Sequence, residues 1–233
     1  MVVDAGFSLS SQAVGLGDPI YAKVRERLRK DILAGEYQAG ERLKIKDIAR
    51  RYGVSTMPVR EAFQKLEGEG LVQIEPNRGA RVRRVDLRFI QNMYDIRVAI
   101  DGMLVRKATE RMTPATLDPV REAVEQYERS VRPEETPESF EWNRKLHRRL
   151  HESARNEDAM AILDYRWGLI ECIRATFRSG PSRIEKVIEE HRLLLAALER
   201  KDADEAERIA KLHCENARID LIAQMQKAYG LGM

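Results

Sequence analysis

The stretch of residues 45–83 constrains the fold of this chain more than any other part of its sequence. Apolar residues fall at helical spacing up to Gly53, and a second helical pattern follows and ends at a Gly-Glu-Gly sequence. Two short apolar stretches then flank the turn sequence Pro-Asn-Arg-Gly. We therefore predict, in this order, a helix, a tight turn, a second helix and a β-hairpin with strands 71–75 and 80–84.

The second helix of this stretch has an apolar face and a polar face. The apolar face is expected to pack on two preceding helices, the one that ends at Gly53 and an earlier one predicted from the apolar spacing between Ile20 and Ile32. Thr56 and Arg60 lie one turn apart on the polar face, near the helix N-terminus. Arginine can donate two hydrogen bonds to guanine, and a helix N-terminus favours phosphate. Such a helix, followed by a basic hairpin tip, is typical of proteins that read duplex DNA. Surface pairing of Arg60 with Glu61 or Gln64 is the alternative.

The charges of the chain are unevenly distributed. Residues 19–84 contain 16 Lys or Arg against nine Asp or Glu, whereas residues 85–233 contain 25 against 27. The basic excess lies on the segment with the two-helix pattern, where neutralised phosphates add affinity that does not depend on DNA sequence. Residues 1–18 are small and polar without a helical or strand period. We predict a flexible arm (1–18), a DNA-binding domain (19–84) and a third, helical part (85–233).

Composition excludes several other classes of protein. The two cysteines, Cys172 and Cys214, form no disulfide framework and favour a reduced, cytoplasmic setting. No apolar run approaches the roughly 20 residues that span a bilayer, and the N-terminus lacks the positive region of a signal peptide. There is no H-E-x-x-H zinc motif, nucleophile elbow or Gly-rich phosphate loop, so we expect no enzyme.

From residue 86 onwards the apolar period is helical to the end of the chain. Breaks at Pro, Gly and Asn positions divide this region into about six helices joined by short loops. Short loops favour an antiparallel bundle, so the predicted fold class is mainly α with one small β-hairpin. The predicted helices are 86–111, 115–131, 137–155, 157–178, 182–200 and 202–228.

Four motifs in residues 20–84 are specific enough to indicate a family. They are an I-x-x-G-x-x-x-x-G-E-x-L stretch, a G-V-S-x-x-P-V-R-E-A core, an L-E-x-E-G-L exit and an N-R-G wing. Together they closely resemble the winged helix-turn-helix of the GntR family of bacterial transcription regulators. The all-helical remainder resembles the effector-binding (FCD) domain of the FadR-like branch of that family.

The resemblance implies which residues contact DNA, and it also reveals two departures. Many relatives have Arg at the position of Thr56, and a Thr side chain reaches less far, so a different operator sequence is expected. Lys46 stands where Arg is common, and a lysine cannot form the bidentate contact. The residues given a DNA-contacting role are Lys46, Thr56, Arg60, Asn77, Arg78 and Gly79.

All four histidines of the chain lie in the helical region. His147 and His151 are one turn apart on one predicted helix, and His191 and His213 fall on two later helices. Three helices of a bundle can bring imidazoles together in its core as metal ligands. Capped or surface histidines are the other interpretation that spacing alone leaves open.

The resemblance to the FadR-like branch favours metal ligation over capped or surface histidines. The sequence N-R-K-L-H-x-x-L-H-x-x-x-x-N is similar to the D-x-x-F-H-x-x-L…N signature of metal-binding FadR-like bundles, in which an Asp and three histidines hold one divalent ion. It implies zinc or nickel ligated by Asn143, His147, His191 and His213, with His151 in a packing or pocket role. Asn143 stands where Asp is common, so the ion would keep its full positive charge and bind less tightly.

Family effectors are commonly small carboxylates that enter the helical bundle. The resemblance places Arg97, on the first bundle helix, at the effector pocket, and Arg174 is a second candidate. For Arg97, a surface ion pair with Asp101, four residues on, is the alternative.

The predicted function is a cytoplasmic, homodimeric DNA-binding transcription regulator. The family is mostly one of repressors, and its two-fold symmetry suits a pseudopalindromic operator of double-stranded DNA. A small carboxylate effector, beside a metal ion, would control operator binding. Two rival interpretations are a DNA-binding regulator that has lost metal and effector binding and, from a different class, a metal-dependent hydrolase.

Overall fold

The computed structural model describes residues 19–76, 78–83, 86–131 and 135–228. Within these ranges, only the backbone is described for residues 165–168, 171, 172 and 175, which include Trp167 and Cys172. The chain divides into two compact units, Met1–Arg84 and Val85–Met233. The predicted arm, residues 1–18, lies outside the described residues, as does Asn77.

The first unit contains three helices and a small antiparallel sheet. Its elements are α1 (Ile20–Leu33), β1 (Arg42–Leu43), α2 (Ile45–Tyr52), α3 (Thr56–Glu69), β2 (Val72–Glu75) and β3 (Gly79–Val82).

The turn between α2 and α3 forms because Gly53 adopts φ of 64°, a left-handed conformation in which glycine is favoured over residues with a Cβ. The amide of Val54 then donates to the carbonyl of Ala49, which closes the end of α2. Beyond the turn, α3 buries Val59, Phe63 and Leu66, and it packs along α1. The predicted apolar face of the second helix is therefore the buried one.

The sheet has the strand order β1-β3-β2, so the hairpin gains a third strand that the sequence pattern did not indicate. Leu43 pairs with Ala80, and Ala80 also pairs with Ile74 on the other side. A two-residue strand is too short to show an alternating pattern, which is why β1 was not predicted. Strand β3 begins at Gly79 rather than Ala80, one residue earlier than expected.

The second unit consists of six helices within the described residues, as the apolar period predicts. The bounds are α4 (Leu87–Glu110), α5 (Pro114–Ser130), α6 (Pro137–Ser153), α7 (Glu157–Thr176), α8 (Pro181–Glu199) and α9 (Ala203–Ala228).

Side-chain caps define where several of these helices begin. Thr113 and Thr136 each start a capping box, and each is followed by a proline at the first helical position, where a missing N–H costs nothing. Asp86 and Asn156 accept hydrogen bonds from backbone amides in the first turns of α4 and α7. These local signals explain why the helix starts agree with the predicted ones to within a residue.

The bundle is organised by two main packing contacts, α4 along α9 and α5 along α6. Helix α8 packs on both α5 and α9, and α6 packs on both α4 and α5. Helices α6, α8 and α9 therefore surround a common interior. Its apolar core includes the fully buried Leu104, Val105 and Leu150. No described helix combines the length and the apolar character needed to cross a membrane.

Candidate DNA-reading surface and buried histidine centre

The N-terminal end of α3 presents three exposed side chains in little more than one turn. Thr56, Met57 and Arg60 all face solvent, and Met57 is 62% exposed although it is apolar. Ser55, which precedes the helix, is extended and its side chain makes no capping hydrogen bond. The first-turn amides of α3 are therefore not capped by that hydroxyl and can meet a phosphate oxygen.

Met57 lies between Thr56 and Arg60 on this exposed end of α3, and the sequence pattern did not single it out. What distinguishes Met57 in the structure is that this large apolar side chain is exposed. A methionine beside Thr56 offers an apolar contact of the kind that recognises the methyl group of thymine. Among the described residues, Arg60 forms no ion pair with Glu61 and no hydrogen bond to Gln64, which contradicts the surface-pairing alternative.

The hairpin adds an exposed basic residue near its tip. The amide of Arg78 donates to the carbonyl of Glu75 at 2.9 Å, and its own carbonyl accepts from Arg42 Nε at 2.8 Å. Both contacts use the backbone, which leaves the exposed guanidinium of Arg78 facing solvent. Lys46, on α2, is also exposed. The DNA contacts of these residues stay predictions, and Asn77 cannot be placed.

Gly79 has a structural reason for being glycine, separate from any DNA contact. Its φ is 94°, and a Cβ at this position would run into the carbonyl oxygen of Leu43 on strand β1. The residue is buried between the strands. Glycine is therefore needed for both the backbone conformation and the close approach of β1.

Three of the four histidines meet inside the second unit. His147 on α6, His191 on α8 and His213 on α9 are all buried, and their ligand atoms all lie within 4.8 Å of one another. Their ring centroids are separated by 5.1 Å to 5.9 Å. We call these three residues the histidine trio. Asn143 is buried on the same helix as His147, one turn earlier.

The electrostatics of the trio keep its rings neutral. Burial lowers the pKa of His147 and His191 well below the ordinary value, because a charged imidazolium would lose its hydration. Burial also lowers the pKa of His213, although Glu190 beside it acts in the opposite direction. A neutral imidazole has a lone pair for a metal ion, so the trio is in the protonation state that ligation requires.

Glu190 orients His213, and it was not identified from the sequence. Its Oε2 lies 2.7 Å from Nδ1 of His213, and Arg183 donates to both of its oxygens at 2.8 Å and 2.9 Å. Asn216 donates to Oε1 at 2.7 Å. Burial alone would raise the pKa of Glu190, but the contacts with His213 and Arg183 outweigh it and lower the pKa to about 2. The carboxylate therefore fixes the ring and leaves Nε2 as the nitrogen for a ligand.

His191 provides the test of whether the trio fits a metal ion. The ring is 1% exposed, and neither nitrogen has a hydrogen-bond partner among the residues that the structure describes. Its ring contact with Tyr127, edge-on at 4.9 Å between centroids, satisfies no nitrogen. Leaving a buried polar group unsatisfied costs roughly 1–3 kcal/mol, whereas a divalent ion would bond one of these nitrogens directly. The donor set fits the ion.

Arg97 and Arg174 both lie inside the second unit. Arg97 is 3% exposed and its guanidinium lies over the ring of Tyr94 at 5.6 Å, so Arg97 does not lie on the surface, as the alternative of a surface ion pair with Asp101 required. Arg174 pairs with the buried carboxylate of Glu135 at 2.9 Å. Tyr94 and Tyr127 are buried, and no hydrogen-bond partner is found for either hydroxyl in the described parts of the chain. These groups can bind an anion that also accepts hydrogen bonds.

Comparison with known families identifies both units. Residues 20–82 match the family model described as bacterial regulatory proteins, gntR family, and residues 92–216 match the FCD domain. The chain belongs to the GntR family. It is a GntR-family transcription regulator with a DNA-binding winged helix-turn-helix and an FCD domain, and not an enzyme.

Relatives of this GntR-family protein include regulators from two well-known bacteria. The uncharacterized HTH-type transcriptional regulator YdhC of Bacillus subtilis is 25% identical over 205 residues, which cover 86% of this chain and 92% of YdhC. The HTH-type transcriptional repressor RspR of Escherichia coli is 27% identical over 197 residues, which cover 84% of this chain and 86% of RspR. The solved structure of E. coli McbR/YncC has the same fold, with a TM-score of 0.65, 22% identity, and coverage of 91% of this chain and 99% of that one.

Proposed function

We propose that this GntR-family regulator is a cytoplasmic, homodimeric repressor whose operator binding is controlled by a small carboxylate, which binds beside a divalent metal ion in the FCD domain. The proposed metal and effector site is supported by the histidine trio. Its three neutral, buried imidazoles come from three helices and have ligand atoms within 4.8 Å of one another. A repressor role is supported by the likeness to RspR, a named repressor, at 27% identity.

The operator is proposed to be read by the exposed end of α3 with the hairpin beside it. Arg60 supplies a bidentate contact to guanine, and Thr56 and Met57 supply shorter and more apolar contacts. Arg78 and Lys46 supply cations for the phosphates, which add affinity without sequence preference. Two copies related by a two-fold axis would read a pseudopalindrome with half-sites about one helical turn apart.

The metal would be held by the histidine trio, with the amide oxygen of Asn143 as a fourth ligand. Imidazole ligands suit zinc and nickel among the divalent ions of the first row. When bound, the ion supplies a positive centre that a carboxylate oxygen can ligate. Because Asn143 and the histidines are all neutral, the ligand set leaves the full 2+ charge in a buried site. An anionic effector reduces that charge, so its binding is coupled to that of the ion.

Apart from the metal ion, we propose that the effector contacts Arg97 and Arg174 together with the buried Tyr94 and Tyr127. Arg97, which lies over Tyr94, is a permanent cation in the interior, and Arg174 already holds a carboxylate, that of Glu135. A small acid with hydroxyl or carbonyl groups would match this set of donors. Such an acid would bind one state of the regulator more tightly than the other, and the resulting shift in population would change DNA binding.

Effector and operator binding can be tested together. The operator is selected from a random DNA library with the purified protein, and the thermal stability of the metal-loaded protein is then measured with a panel of small carboxylic acids. We expect at least one acid to raise the melting temperature and to change operator affinity, because a ligand that prefers one state stabilises it. The Arg97→Gln variant should lose that response. If no acid shifts either quantity, control by a carboxylate is rejected.

A further inference from the structure

A second group of potential ligands adjoins the histidine trio and includes a carboxylate. Asp101 on α4 is 1% exposed, and its Oδ1 lies 2.7 Å from Nε2 of His151 on α6. The thiol of Cys214 donates to the other oxygen at 3.3 Å. A buried carboxylate needs compensating charge or hydrogen bonds, and here both oxygens have a close neighbour.

His147 connects this group to the trio. The ligand atoms of Asp101, His147 and His151 all lie within 4.8 Å of one another, as those of the trio do. The rings of His147 and His151 are 6.0 Å apart, similar to the distance of 5.9 Å between His147 and His191. His147 therefore belongs to both groups of three buried donors.

We infer that Asp101, His147 and His151 form a second divalent-cation position, which shares His147 with the histidine trio. Two imidazoles and one carboxylate are a ligand set suited to cobalt, iron and manganese as well as zinc. The carboxylate lowers the net charge of the occupied position to 1+, whereas the trio with Asn143 leaves 2+. Asp101 thus provides the anionic ligand that Asn143 does not.

The second position should bind more weakly than the trio, for a structural reason. An ion that enters it must separate the existing contact between Asp101 and His151, whereas His191 in the trio has no hydrogen bond to lose within the described residues. Since His147 bonds one ion at a time through a neutral ring, the two positions compete. The second position therefore becomes observable when the trio is disabled.

The inference rests on the proposed metal binding of the bundle but not on the effector or the operator. It can be isolated in the His191→Gln variant, which leaves the trio with two imidazoles and breaks no hydrogen bond among the described residues. The probe is Co²⁺ alone, added to the metal-free protein, with binding followed by visible absorption and by calorimetry. Asp101→Asn and His151→Gln are each added to His191→Gln, and circular dichroism checks the fold. Glu152→Gln, an exposed carboxylate next to His151, is the matched control.

We expect His191→Gln to bind about one Co²⁺ per chain, with an affinity at least tenfold below the wild type. Adding Asp101→Asn or His151→Gln should weaken that binding by a further tenfold or more, and Glu152→Gln should leave it unchanged. If wild type binds Co²⁺ and His191→Gln binds none, the trio stands and the second position is rejected. Equal affinity of His191→Gln with and without Asp101→Asn and His151→Gln also rejects it. Absence of binding by the wild type would overturn both positions.

Discussion

The Oε2 atom of Glu190 lies 2.7 Å from Nδ1 of His213, and this contact leaves Nε2 as the nitrogen of His213 that can bind an ion. Glu190 is itself held by two hydrogen bonds from Arg183 and one from Asn216. Carboxylates that hold a ligating histidine in this way raise its basicity and restrict its rotation. Arg183, Glu190 and Asn216 therefore hold the ring of His213 in its orientation.

Replacing Glu190 should weaken metal binding without removing a ligand. Glu190→Gln keeps the shape but loses the charge that holds His213, and we expect metal affinity to fall about 10–100-fold. Competition against a chromophoric chelator measures it. Glu189→Gln, the exposed neighbour, is the control and should bind as wild type. Equal affinities for both variants would show that Glu190 does not support the site.

His191→Gln should separate the effect of the metal on stability from that of the fold. Neither nitrogen of His191 has a hydrogen-bond partner among the described residues, so the metal-free variant should unfold at nearly the wild-type temperature. The rise in melting temperature on adding Zn²⁺, by contrast, should shrink, since affinity for the folded state sets its size. Differential scanning calorimetry with and without Zn²⁺ measures both. An unchanged rise would remove His191 from the ligand set.

The stability of the metal-free protein should decrease as pH falls below about 6.5. Burial lowers the pKa of His147 and His191 in the folded state, so the unfolded chain binds protons first on acidification. Each such histidine lowers the free energy of unfolding by about 1.4 kcal/mol for every pH unit below its unfolded pKa. Urea unfolding of chelator-treated protein between pH 7 and 5 measures the slope, and His191→Gln should make it shallower by up to that amount. A slope equal to that of the wild type would mean that folding does not lower the pKa of His191.

Arg60→Ala should remove sequence discrimination while leaving the fold intact. Loss of a bidentate guanine contact costs about 1–3 kcal/mol, whereas binding to unrelated DNA should change little. Fluorescence anisotropy with the selected operator and a scrambled duplex gives both affinities. Lys65→Ala, exposed near the other end of α3, is the matched control. If Arg60→Ala preserved the ratio of the two affinities, the proposal that Arg60 recognises a base would be rejected.

Gly79→Ala should destabilise the first unit more than a comparable glycine substitution does. Gly79 has φ of 94°, and a Cβ added there would meet the carbonyl of Leu43. Gly35 has φ of 79°, and an added Cβ would meet no atom within 4 Å among those described. Gly35→Ala therefore carries only the backbone cost, about 1–2 kcal/mol, and Gly79→Ala adds a steric clash. Urea unfolding of both variants gives the difference. Equal losses of stability would indicate that β1 moves away at little cost.

Periodicity and capping predict most of this fold because they act within a few residues of the chain. The apolar spacing that defined α3 and α6 also placed Arg60 on a polar face and Asn143 one turn before His147. Strand β1 was missed because two residues, Arg42 and Leu43, carry no period of their own.

The supporting residues of the site could not be predicted, for a different reason. Glu190 and Asp101 are two of 38 acidic residues, and nothing local marks them as buried. Glu190 is also adjacent to His191 in sequence yet contacts His213, because neighbouring residues on a helix point in different directions. Only the packing of α8 against α9 brings that pair together.

Elemental analysis of the untagged, extensively dialysed protein tests most directly whether the histidine trio holds a metal ion. We predict about one divalent transition-metal ion per chain in the wild type, and clearly less in His191→Gln after the same dialysis. A protein that holds no such ion, even after incubation with Zn²⁺ or Ni²⁺, would contradict a metal centre at the histidine trio.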